Sequence, residues 1–275
     1  MDDVVLIKDL PSDLVEAVMK ELTAYVVAFI RFGDAAVNPP ADLLGSGVLV
    51  AVATKRAILT ADHVVDVLPA SGRIGLFLER TNQPHTIDSA GVSMVRIGRG
   101  TDDAVGPDLS AIVLSPSIAA SIGAKRSFVN LDKHRTQLLE APPESNQGAW
   151  FCQGFLDERT TVGFDRTEPD FTKYFYNFTG IGGPEGQEHI GEHDYFHLPV
   201  DAASTSVAPI RWGGMSGGGV WQVPFKRDGT RIAHLPPLLS GVMFYQHVRS
   251  GVCEIRCHGR RSVYEAAFKA IIGEP

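Results

Sequence analysis

The chain has 275 residues, 44% hydrophobic and 21% charged, which is the composition of a globular protein and excludes a largely disordered one. Its formal net charge is −7, and its 25 Lys and Arg residues are scattered, so it offers no basic face of the kind that nucleic-acid binding needs. No apolar run reaches the ~18 residues of a membrane span, and a chain of this length buries its own core without disulfides or a structural metal.

The chain starts Met1-Asp2-Asp3-Val4, without the positive region and apolar stretch of a secretory signal, so a cytoplasmic location is expected. Cys152, Cys253 and Cys257 make a poor disulfide framework and fit a reducing compartment. On that expectation the sequon Asn177-Phe178-Thr179 carries no meaning.

Residues 1–24 read as an N-terminal helical extension. Ser12 is placed to cap the helix, Asp13 and Glu16 suit its positive end, and Leu14, Val15, Val18, Met19 and Leu22 form one apolar face. From Tyr25 the texture changes to short strands: 25–32, 47–53, 57–60, 74–78, 92–97 and 110–114, separated by turn residues. Helical crossovers are missing from this stretch, which argues against a doubly wound parallel fold. Residues 131–148, with Ala141-Pro142-Pro143-Glu144-Ser145-Asn146, read as a linker. Strands resume at 149–155, 173–178, 194–199, 220–224, 238–245 and 252–256, with an Asp228-Gly229 hairpin turn among them. Residues 259–275 close the chain with a helix, for which Ser262 and Glu265 form a capping box ahead of Val263, Tyr264, Ala267, Phe268 and Ile271. The expectation is a mainly β protein with two β units, 25–130 and 149–258, and a helix at each end.

Three separated segments carry chemistry. Gly214-Met215-Ser216-Gly217-Gly218 sets a serine among glycines. A serine hydroxyl is a weak nucleophile that needs a neighbouring base, and glycines let successive N–H groups turn toward a developing oxyanion. His63 lies in Leu59-Thr60-Ala61-Asp62-His63-Val64-Val65, where a strand runs into a short helical turn, and its imidazole can take the serine proton. Asp108 opens the apolar strand Leu109-Ser110-Ala111-Ile112-Val113-Leu114, a costly place for a carboxylate unless it holds the other ring nitrogen of His63. Asp102 and Asp103 compete for that role, but neither starts the strand pattern.

With Gly45-Ser46-Gly47-Val48-Leu49-Val50, these blocks make residues 25–258 resemble the trypsin-like serine peptidase family, in its bacterial, non-zymogen type. The resemblance implies the chymotrypsin fold: two antiparallel six-stranded β-barrels, with His63 and Asp108 from the first and Ser216 from the second. It further implies an endopeptidase that hydrolyses protein or peptide substrates through an acyl-enzyme. His63 is then the general base and acid, Asp108 its orienting partner, and the N–H groups of Gly214 and Ser216 the oxyanion hole, with no metal or other cofactor. Zymogen members carry an aspartate where this chain has Met215, so activation by N-terminal cleavage is not expected, and a peptidase ready on synthesis would need control by a regulatory protein partner, a closed site or narrow specificity. The family's pocket floor falls at Ile210, beside Arg211, which suggests an apolar or small P1 residue, or an acidic one if Arg211 turns inward. Phe244-Tyr245-Gln246 aligns with the strand that pairs with substrate backbone.

Other readings compete. Gly214-x-Ser216-x-Gly218 fits the elbow of α/β-hydrolases, but three glycines after the serine preclude the helix that elbow needs. His189-Ile190-Gly191-Glu192-His193 matches an inverted zinc-peptidase motif, with His197 a third ligand by spacing, yet Gly191 and the upstream Gly182-Gly183-Pro184 favour a loop. Cys253 and Cys257 on one strand are too far apart for a disulfide and read as buried apolar groups. The alternative from another class is a catalytically silent or partner-activated pseudo-peptidase that serves as a protein-binding module.

Overall fold

A computed structural model describes residues 10–32, 41–78, 84–100, 102, 104–164, 171–181, 183–200, 211–229, 231–249 and 252–274. The first eight strands are β1 (Val26–Phe32), β2 (Ala41–Val52), β3 (Lys55–Thr60), β4 (Arg73–Phe77), β5 (His85–Asp88), β6 (Val92–Arg99), β7 (Asp108–Leu114) and β8 (Val129–Asn130). They form one sheet in the order β5-β4-β1-β2-β3-β7-β6, antiparallel throughout, with β8 added parallel to β2. The remaining strands are β9 (Ala149–Phe164), β10 (Phe171–Ile181), β11 (Glu185–Ile190), β12 (His193–Val200), β13 (Gly219–Val223), β14 (Phe225–Asp228), β15 (Arg231–His234), β16 (Leu238–Arg249) and β17 (Val252–His258). The second sheet runs β10-β9-β13-β16-β17-β12-β11, and β14-β15 is a separate hairpin that turns at Gly229, whose φ is 60°. Each expected strand is present. Instead of six strands, the sheets have eight and seven, and among the described residues the end strands of each path do not pair with one another.

The central strands of the first sheet are buried on both sides, which explains why they read as near-continuous apolar runs. Leu49, Ile58 and Ile112 face inward against Phe29, Ile74 and Leu76. Their neighbours Val48, Val50, Leu59 and Ala111 face the second sheet, packing with Phe151, Trp221 and Val242 and with both terminal helices. The two sheets therefore share one of the core clusters. The helix α1 (Ser12–Thr23) contributes Val18 and Leu22, and the C-terminal segment contributes Val263, Tyr264, Ala267 and Ile271. No helix among the described residues is long and apolar enough to cross a membrane.

Several local expectations change. Pro11, not Ser12, occupies the N-cap of α1, and no side chain caps it. Residues expected as linker include a helix, α4 (Leu131–Glu140), capped by Asn130, whose side chain accepts the Lys133 N–H. The short helix α2 (Asp62–Asp66) carries His63 as expected, whereas α3 (Pro116–Gly123) lacked a sufficient apolar period to be foreseen. At the C-terminus a π-helical turn (Ser262–Ala267) leads into α5 (Phe268–Ile272), and the capping box does not form. A carboxylate from β12 takes its place: Asp194 accepts the N–H groups of Arg261 and Ser262, at 3.0 and 2.7 Å. Glu265 pairs with Arg261 instead. Tertiary contact supplies a cap that no local pattern announces.

Candidate active site

The site lies where the two sheets meet. Strand β3 ends at Thr60, and α2 begins two residues later, which carries His63 beyond the end of the strand with its side chain 42% exposed. Asp62 seats that helix: it is fully buried, receives Arg96 Nη1 at 2.5 Å and Arg99 Nη1 at 2.9 Å, and accepts the Ser110 hydroxyl. Asp66 completes the clamp with the same two arginines, whose hydrogen bonds hold its carboxyl below the usual range.

Asp108, the first residue of β7, faces His63 with both carboxylate oxygens. Oδ1 accepts the His63 backbone N–H at 2.9 Å, and Oδ2 lies 2.5 Å from Nδ1. Burial pushes the Asp108 carboxyl up, but the side-chain bond, the charge and the backbone N–H of His63 more than offset it and hold the group below its ordinary value. The anion is thus the stable form, and it holds the imidazole with a proton on Nδ1. Asp102 instead closes its own turn, accepting the Ala104 N–H, and Asp103 lies outside the described residues.

Ser216 and His63 line one cavity of about 310 Å³ together with Trp212, Met215, Met243 and Ile255. The Ser216 hydroxyl is turned to the Phe244 carbonyl, 3.4 Å away, rather than to the imidazole. The glycine-rich turn is held on three sides. The Gly213 carbonyl accepts the Asp157 N–H at 2.9 Å, which aims the Gly214 N–H the opposite way. The Gly214 carbonyl accepts from the buried Ser46 hydroxyl at 2.7 Å, and that hydroxyl in turn accepts the Phe155 N–H. The Ser216 carbonyl accepts the Ser46 N–H at 2.8 Å. Among the described residues, the N–H groups of Gly214 and Ser216 have no acceptor. A pair of preset, unengaged donors beside a hydroxyl suits a carbonyl oxygen that gains negative charge.

The segment Phe244-Tyr245-Gln246 lines the cavity. The β13 ladder with β16 ends at Val242, whereas Tyr245 and Gln246 pair with Arg256 and Ile255 of β17 on their other side. Arg211 departs from expectation: it is exposed, does not line the cavity, and its N–H donates to Glu158. Ile210 lies outside the described residues. The sequence reading missed Ser46, Asp62, Arg96 and Arg99, because their role depends on partners 30 to 168 residues away. A polar group in an apolar run was the available signal for Ser46 and Asp62.

The zinc-peptidase motif is not helical. His189 and His193 sit on the two strands of a hairpin that turns at Gly191, with φ 61°. Among the described residues, His197, His247 and Glu254 bring possible ligand atoms within 4.8 Å of one another. They are wired as an ion-pair network: Arg256 Nη1 lies 3.1 Å from His197 Nε2, which places the ring proton on Nδ1, and the two imidazoles lie nearly parallel. Among the described residues Cys152, Cys253 and Cys257 form no disulfide, and Cys257 is fully buried, its thiol pushed well up by that burial.

Behind Asp108 sits a further histidine. His258 is buried, and burial followed by the charge of His193 pushes its imidazole down to about 3. His193, Asp194 and Tyr195 of β12, Arg256 of β17 and Asp108 of β7 are the titratable groups around it. An unfolded histidine takes up a proton below about pH 6.5 and the folded one does not until about pH 3, so His258 costs stability progressively across that interval as pH falls. The full penalty is on the order of 5 kcal/mol. Urea unfolding at pH 7 and pH 4 is expected to show a smaller loss of stability for His258→Gln than for the wild type; equal losses in the two proteins contradict this assignment.

No family model matches the chain, and no curated relative matches it. Solved structures similar to it include one reported for coupled folding and binding of the Sesbania mosaic virus VPg protein, with 15% identity, TM-score 0.45, and 89% of this chain and 90% of that chain covered. The tobacco vein mottling virus protease shares 11% identity at TM-score 0.39, over 85% of this chain and 76% of that chain. A mutant of the Tobacco Etch Virus protease shares 9% at TM-score 0.37, over 86% and 73%.

Proposed function

We propose that this chain is a trypsin-like serine endopeptidase of the chymotrypsin type, its two sheets serving as the two barrels, 25–130 and 149–258, with the site between them. The observation that carries the reading is the Asp108 carboxylate bound at once to the N–H and Nδ1 of His63, with His63 and Ser216 lining one cavity and the N–H groups of Gly214 and Ser216 without an acceptor among the described residues. Catalysis requires the Ser216 hydroxyl to turn from the Phe244 carbonyl toward Nε2. His63 then takes its proton as Oγ attacks the scissile carbonyl, and Asp108 stabilises the imidazolium. The N–H groups of Gly214 and Ser216 hold the oxyanion. His63 returns the proton to the leaving amine, and water releases the acyl group by the same steps in reverse. The residues that hold the turn in place suit an oxyanion hole formed before substrate arrives. Met215 is 1% exposed in an apolar cluster, which supports activity without a new N-terminus.

The cavity wall of Trp212, Met215, Met243 and Ile255 favours a large apolar P1 side chain, and among the described residues its lining holds no carboxylate or guanidinium. Cleavage after Leu, Met or Phe is expected to exceed cleavage after Lys or Asp at least about tenfold in a peptide library. A preference for charged P1 residues rejects this pocket assignment.

The Ser216–Phe244 contact favours a second reading, a silent or partner-activated module that binds an extended peptide along β16. Intact-protein mass spectrometry after a fluorophosphonate probe separates the two. One adduct on the wild type, absent in Ser216→Ala, is the expected result. No adduct on the wild type rejects autonomous catalysis and leaves the binding module.

A further inference from the structure

We propose that His258 is a positioning residue of this site: it holds the backbone of Asp108 from behind and, through Ser262 and Asp194, ties the triad carboxylate to the seat of the C-terminal helix. The inference rests on the serine-peptidase reading and deepens it.

The chain of contacts is complete. His258 Nε2 accepts the Asp108 N–H at 3.1 Å, across 150 residues of sequence. An imidazole that accepts there and remains neutral carries its proton on Nδ1, which faces Ser262 Oγ at 3.3 Å. Ser262 Oγ lies 2.9 Å from Asp194 Oδ1 and accepts the Asp194 N–H at 3.0 Å. The same carboxylate caps the C-terminal helix through Arg261 and Ser262. The Asp108 backbone is therefore fixed from one side by His258, while His63 engages its carboxylate from the other. The ring of His258 has little freedom to move. Phe244, Tyr195 and His193 surround it at centroid distances of 4.6, 5.1 and 5.5 Å. Gly259 leaves room for the turn, since a side chain there would collide with the Asp194 carboxylate. A buried polar chain of this kind, with each member satisfied, holds one geometry in preference to its alternatives.

The test uses the full chain with His258→Leu, His258→Gln and Ser262→Ala, each first checked for a cooperative thermal melt. Glutamine places an acceptor oxygen near the position of Nε2, whereas leucine keeps volume and removes the acceptor. The expected result for His258→Leu is a loss in kcat on the order of 10² with KM nearly unchanged, as a triad member shifts by a fraction of an ångström. The His63 Nδ1 proton resonance, which reports the bond to Asp108, is expected to shift in that variant, and so is the pH profile of kcat. His258→Gln is expected to restore both the resonance and most of kcat. A folded His258→Leu with wild-type kcat, pH profile and resonance overturns the proposal. Should His258→Leu fail to fold, Ser262→Ala decides, because it leaves His258 in place and removes its Nδ1 partner together with that hydroxyl's contacts to Asp194; an unchanged resonance in that variant overturns the proposal too. The resonance needs no turnover. A wild type that is silent toward substrate and probe defeats the peptidase reading while the positioning role is still judged by nuclear magnetic resonance.

Discussion

Asp108→Asn is expected to lower kcat on the order of 10³–10⁴-fold while leaving KM and the fold nearly unchanged. Asp108 Oδ1 keeps the His63 backbone N–H at 2.9 Å, and Oδ2 keeps Nδ1 at 2.5 Å. An asparagine has one oxygen and one NH₂. If the oxygen stays on the backbone N–H, the NH₂ meets Nδ1, which must then accept. The ring proton moves to Nε2, and Nε2 can no longer take the Ser216 proton. The variant also loses a carboxylate held below its usual value, and with it a stabilising contribution that the wild type has above about pH 4 and loses as pH falls through the folded value. Steady-state kinetics on a peptide substrate checks the first effect, and urea unfolding at pH 7 the second. A loss below about tenfold is inconsistent with Asp108 as the orienting group. Asp62 is no substitute, because Arg96, Arg99 and Ser110 already engage its carboxylate.

Gly217→Ala is expected to abolish fluorophosphonate labelling and to destabilise the protein by about 3 kcal/mol or more. Gly217 has φ 86°, a conformation that disfavours any Cβ, and a methyl group there would overlap the Ser46 carbonyl oxygen and Thr60 Oγ1. Neither atom can retreat. Thr60 Oγ1 donates to that same Ser46 carbonyl at 2.7 Å inside the sheet, and the Ser46 N–H holds the Ser216 carbonyl. The loop must therefore move, and the unengaged N–H of Ser216 moves with it. Gly213→Ala is the control for stability. Its φ is not positive, and among the described residues beyond its chain neighbours an added Cβ would come no nearer than 3.9 Å, to Asp157 Cβ. Urea unfolding of the pair, together with intact-mass labelling, checks the prediction. Wild-type stability and labelling in Gly217→Ala contradict the described seat of the loop.

Most of the strand pattern was legible because local chemistry sets it. Stretches such as Ala57–Thr60 and Leu109–Leu114 are rich in apolar and β-branched residues and bounded by turn formers, and both are strands. The short strands β5 and β8 and the exposed β11 were not legible, since a few mostly polar residues owe their pairing to the neighbouring strand alone. His63, Asp108 and Ser216 stood out because each is a costly or conformationally special residue for its local setting. Cost of that kind is visible without coordinates. The departures share one cause. Asp194 caps a helix 67 residues away, His258 supports an N–H 150 residues away, and Ser46 pins a carbonyl 168 residues away.

By itself the sequence determined a mainly β chain with a helix near each end, and which three side chains have chemistry to offer. Only the tertiary structure decided how these are held: Arg96 and Arg99 on Asp62, Ser46 and Asp157 on the glycine turn, His258 behind Asp108. The physical reason lies in the range of the forces. Strand and helix preferences act over a few residues and leave a periodic trace in sequence, whereas a buried hydrogen bond needs two partners that meet only after the sheets have packed, and neither partner's neighbours record the other.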